Sequence, residues 1–71
     1  MKVPRDVSGA ESAKALQRLG FVITRQVDSH IRLAKGSVRV TVPRHKTILP
    51  KTLQSALRQA GVSLEDFLNN L

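Results

Sequence analysis

Two histidines, no cysteine, and twelve Lys or Arg against five Asp or Glu are the side chains with which this 71-residue chain can do chemistry. A zinc site of the usual Cys/His kind cannot be built from that set, and there is no disulfide framework, no thiol nucleophile, no Gly-rich phosphate loop and no pair of metal ligands at helical spacing. What remains is imidazole surrounded by cations. In Ser29-His30-Ile31-Arg32-Leu33 the polar residues alternate with Ile31 and Leu33, so a strand would carry His30 and Arg32 on one face. Imidazole titrates near neutral pH, and a guanidinium beside it can stabilise the charge of a phosphorane. RNA suits such a pair because its own 2′-hydroxyl can attack the adjacent phosphodiester without a protein nucleophile or a metal. The residues themselves leave two readings of His30 open: a general acid/base, and a solvent-facing strand histidine with no task. His45, in the basic stretch Arg44-His45-Lys46-Thr47 after Pro43, is read as a phosphate contact or a structural hydrogen bond in preference to a second acid/base group.

The elements that must position these groups follow from periodicity. Ser8-Gly9-Ala10-Glu11 fits a capping box, and Ala10, Ala13, Leu16 and Leu19 recur at helical spacing before Gly20, which predicts a helix over roughly 9–19. Phe21 to Gln26 is aromatic and β-branched, with Phe21 and Ile23 expected on the core face. Ser29–Leu33 and Ser37–Val42 alternate with period two, and a Lys35-Gly36 turn would set Arg32 directly opposite Arg39 and Ile31 opposite Val40. Asp28, His30, Arg32, Arg39 and Thr41 are then expected together on the solvent side, where two facing arginines call for an anion between them. Pro43 should end the third strand. Pro50 opens a second helix with Leu53, Ala56, Leu57 and Ala60 as its stripe and Gly61 as its stop, and Ser63 caps a short terminal helix carrying Leu64, Phe67, Leu68 and Leu71. The expected fold class is α+β, in the order α-β-β-β-α plus a tail helix, with two helices on one face of a three-stranded antiparallel sheet and the other face open.

Composition bounds what such a body can do. A hydrophobic content of 41% supports one modest core and no membrane span, so residues 1–71 are expected to form one soluble domain. Met1 to Asp6 has no apolar stretch after its charges, and the expected compartment is a reducing cytoplasm rather than a secretory route. The formal charge of +7 favours a polyanion, and nucleic acid is the first candidate. Between Lys14 and Arg58 lie ten basic residues and the single acid Asp28. With no Trp or Tyr, and with Phe21 and Phe67 placed in the core, base-stacking platforms are missing, so contact should run through phosphates: Arg32 and Arg39 centrally, with Lys35, Arg44, His45 and Lys46 as the rim.

Ser8-Gly9 with Glu11, Leu19-Gly20-Phe21, Ser29-His30, Val42-Pro43-Arg44-His45, Thr52-Leu53 and Leu57-Arg58-Gln59-Ala60-Gly61-Val62 run in order through residues 7–68. In that order and spacing the chain resembles the HicA family of messenger-RNA interferase toxins, small proteins of toxin-antitoxin systems with a double-stranded-RNA-binding-domain-like fold. The resemblance implies a metal-independent endoribonuclease with no cofactor, whose catalytic histidine falls on His30. It also implies a HicB-type antitoxin that binds the toxin and masks that histidine. A non-catalytic RNA-binding module of the same fold is the alternative. Two positions depart from the family pattern: Asp28 stands where Gly precedes Ser-His, and Lys51 where Gly precedes Thr52. An acid at 28, if it shares a face with His30, would repel a phosphate and favour the charged imidazole.

Overall fold

The computed structural model describes residues 3–71, so Met1 and Lys2, the start of the segment read as lacking a secretory signal, lie outside it. The order is α1 (Gly9–Arg18), β1 (Val22–Val27), β2 (His30–Lys35), β3 (Val38–Pro43), α2 (Pro50–Ala60) and α3 (Leu64–Asn69). The three strands form one antiparallel sheet in sequence order. This is the α+β arrangement expected, with the second face of the sheet open. Among the described residues no helix is long and apolar enough to cross a membrane.

Ser8 caps α1 as a full capping box: the Glu11 amide donates to Ser8 Oγ and the Ser8 amide donates to Glu11 Oε1, both at 3.0 Å. The Ser8 amide foremost, and the Ser8 hydroxyl after it, hold the Glu11 carboxyl below its ordinary value of 4.5. The buried face of α1 is Gly9, Ser12, Ala13, Ala15 and Leu16, four of them small, which lets the helix lie close to the sheet. Ala10 is exposed and Leu19 only half-buried, so the stripe is turned from the one expected. In α2 the expected Leu53, Ala56, Leu57 and Ala60 are all buried, and Gly61 takes the left-handed φ of 69° that stops the helix. Phe67 anchors α3 in the core, while Leu71 is exposed and does not join it. Leu16, Leu33, Val42, Ile48, Leu53 and Phe67 make up the centre; burying each contributes about 1.5–3 kcal/mol before entropy is subtracted.

The β2–β3 turn differs from expectation. Lys35 pairs with Val38, so the turn is Gly36-Ser37 rather than Lys35-Gly36, and Gly36 at φ 61° takes the left-handed position first in the turn. Lysine is thereby spared that conformation. The register moves by two residues: Arg32 faces Thr41, Ala34 faces Arg39 and Leu33 faces Val40. Arg32 is therefore not opposite Arg39. A shift of two keeps the alternation, with Ile31, Leu33, Val40 and Val42 buried and Arg32, Arg39 and Thr41 exposed, while Val38, read with the apolar set, is exposed at the start of β3.

Candidate nucleic-acid interface

His30 opens β2 immediately after the two-residue turn Asp28-Ser29, where Val27 pairs with His30. The burial pattern alternates along β2, with His30 and Arg32 exposed and Ile31 and Leu33 buried, which sets His30 beside Arg32 on the open face. Residues two apart on a strand are separated by about 6.6 Å, so one phosphate group between the two side chains can touch both. Asp28 lies outside the strand. It lies in the turn with φ 51°, so the strand alternation that would have aligned it with His30 does not reach it.

The loop after β3 is fastened to the His30 corner by backbone bonds. The Arg44 amide donates to the Ser29 carbonyl, the Gly9 amide donates to the His45 carbonyl at 2.8 Å, and the Ile48 amide donates to the Val7 carbonyl at 2.8 Å. Gly9 is required by contact: a Cβ there would stand 2.1 Å from the Pro43 carbonyl oxygen and 2.9 Å from Arg44 Cα. The start of α1, the end of β3 and the start of β2 thus meet at one corner, and the family-like stretches Ser8-Gly9, Ser29-His30 and Pro43-Arg44-His45 are the three pieces that meet.

The six expected phosphate contacts do not form one patch. Arg32 and Arg39 line a hollow of about 300 Å³ on the open face, together with Thr24, Arg25 and Thr41. Arg44 lines a second hollow of about 260 Å³ between α1 and β1, beside Lys14, Gln17 and Gln26. His45 and Lys46 are exposed in the loop. Lys35 lies on the helix side, where its Nζ donates to the Leu19 carbonyl at 2.9 Å and sits 5.9 Å from the Phe21 ring centre. Its ammonium caps α1 and is drawn away from the open face.

Arg25 was missed in the sequence because of a bulge. Ile23 pairs with Leu33 on the core side, and strict alternation would send Arg25 to the core as well. The register slips between Ile23 and Arg25, so Thr24 is the extra residue and Arg25 lands directly opposite Arg32 on the open face. The Thr24 hydroxyl marks the spot by donating to the Arg32 carbonyl at 3.2 Å. Among the described residues, none of the guanidinium groups of Arg25, Arg32 and Arg39 donates to a protein acceptor.

Residues 9–62 match the family model described as the HicA toxin of bacterial toxin-antitoxin systems. The chain belongs to the HicA toxin family. The match begins at the tightly packed Gly9 and ends just past the stop of α2, so it takes in the open face, the His30 corner and the loop fastened to it. This HicA toxin is the toxin component of a toxin-antitoxin system, and an antitoxin is its partner. No curated protein matches the chain.

Proposed function

We propose that this toxin is an endoribonuclease that cleaves messenger RNA in the cytoplasm with His30 as its general acid/base and no metal ion. The observation that carries the reading is the exposed His30 at the start of β2, two residues from Arg32 on a face whose charged side chains are arginines. His30 takes the proton from the RNA 2′-hydroxyl as that oxygen bonds to phosphorus. The bond from phosphorus to the 5′-oxygen breaks, and the imidazolium returns the proton to the departing oxygen. The products are a 2′,3′-cyclic phosphate and a 5′-hydroxyl. Arg32 offsets the charge that builds on the phosphorane, and Arg39 holds the strand beyond it. Arg44, His45 and Lys46 supply a wider positive rim, and Lys35 adds less because its ammonium is held at Leu19. A HicB-type antitoxin silences the enzyme by covering the open face and His30.

The test is incubation of a single-stranded RNA with the toxin in EDTA, followed by analysis of the product ends. Cleavage in EDTA to cyclic phosphate and 5′-hydroxyl ends is expected, and a 2′-deoxy residue at the cut position should leave that bond intact. Cleavage that needs a divalent ion, or that proceeds at the deoxy position, contradicts the proposal. Binding without any cleavage would make the protein a non-catalytic RNA-binding module.

A further inference from the structure

An antiparallel pair that sets two arginines directly across from each other is destabilised unless an anion lies between them. In this sheet that pair is Arg25 and Arg32, and only the bulge at Thr24 brings it about. Without the extra residue Arg25 would point to the helix side. Bulges of this kind re-aim one side chain and lie preferentially near functional sites. Arg39 completes the row. It pairs with Ala34, two residues along β2 from Arg32 and on the side away from His30. The three guanidinium groups therefore run obliquely across all three strands, in a hollow that also presents Thr24 and Thr41.

We propose that Arg25 and Arg32 clamp one phosphodiester of a single-stranded RNA next to His30, and that Arg39 holds a neighbouring phosphate, so that the RNA backbone crosses the strands of the sheet. The inference rests on the reading of His30 as the acid/base group and adds to it a substrate path and a residue, Arg25. Two forked guanidinium groups can share the oxygens of one phosphate through charge-assisted bonds, and opposed strand residues lie about 5 Å apart, near enough for both to reach it. Two consequences follow. In the free protein the Arg25–Arg32 pair costs stability, and in the complex the two residues act as one contact.

Binding is measured by fluorescence anisotropy with a labelled 2′-O-methyl oligoribonucleotide, which keeps the phosphates but offers no 2′-hydroxyl for cleavage. A failure of the His30 chemistry would therefore leave these measurements unaffected. Each phosphate contact contributes about 0.7 to the slope of log affinity against log salt for a single strand. Arg25→Gln and Arg32→Gln should each lower the slope by about 0.7 and weaken binding about tenfold, and the double variant should lose little more than either alone. Arg39→Gln should add a further loss of about 0.7 in any background. The melting temperature of Arg25→Gln without RNA should hold or rise, as relief of like-charge repulsion requires; a purely structural arginine would lower it. An unchanged slope in Arg25→Gln, or losses at Arg25 and Arg32 that add in full, would overturn the clamp, as would failure of the wild-type protein to bind the oligonucleotide at low salt.

Discussion

Asp28 occupies a backbone conformation that L-residues enter at a cost, and Asp is among the few that tolerate it. The turn into His30 needs a residue at positive φ, and glycine, the residue of the pattern that the chain resembles, would meet the need without strain. The carboxylate is therefore a substitute for glycine in a turn, not a strand neighbour of the imidazole. Alternation could not reveal this, because Asp28-Ser29-His30 reads as the start of a strand until the two-residue turn is known. Asp28→Gly should raise stability by up to about 1 kcal/mol, and Asp28→Val should lower it by about 1–2 kcal/mol, because a branched Cβ clashes at this φ. Thermal or urea unfolding of the two variants checks this. Equal stability for glycine and valine would mean that the turn does not hold residue 28 in the left-handed region.

At the scale of elements, the corner formed by α1, β2 and the loop after β3 depends on one absent side chain. Gly9→Ala would push a methyl group against the Pro43 carbonyl, and backbone on both sides leaves it no soft neighbour to displace. The expected loss is about 2–4 kcal/mol, with the 43–46 loop shifted away from Ser29. Urea unfolding measures the loss, and hydrogen exchange at the Arg44 and Ile48 amides should report the loosened loop. Wild-type stability in Gly9→Ala would show that the helix can back away freely. Both helix boundaries and the apolar stripe of α2 were legible from caps and 3.6-residue periodicity, since those signals are local. The faces of β2 and β3 were legible for the same reason. Register was not, because it turned on which residue of Lys35-Gly36-Ser37 took the positive φ. Arg25 was hidden because a bulge breaks the alternation by which faces are read.

Across the whole molecule the charge is divided by the fold. Lys35 caps α1, and Arg18 donates to the Asn70 carbonyl at 2.6 Å, so two cations of the basic middle stretch hold elements together. Arg25, Arg32 and Arg39 face outward over the open sheet with His30 at its margin, and Lys14 and Arg44 line the α1 side. The helices bury one face of the sheet to stabilise the fold, and the arrangement leaves the other face open. An exposed strand histidine carries little packing energy, so its removal should separate folding from function. The decisive measurement is the single-turnover rate of RNA cleavage by His30→Ala in EDTA, on protein whose circular dichroism and melting temperature match the wild type. Loss of general acid/base catalysis predicts a fall of about 10²–10⁴-fold with RNA binding retained. Cleavage by His30→Ala at the wild-type rate would contradict the assignment of His30 and move the chemistry elsewhere on the molecule.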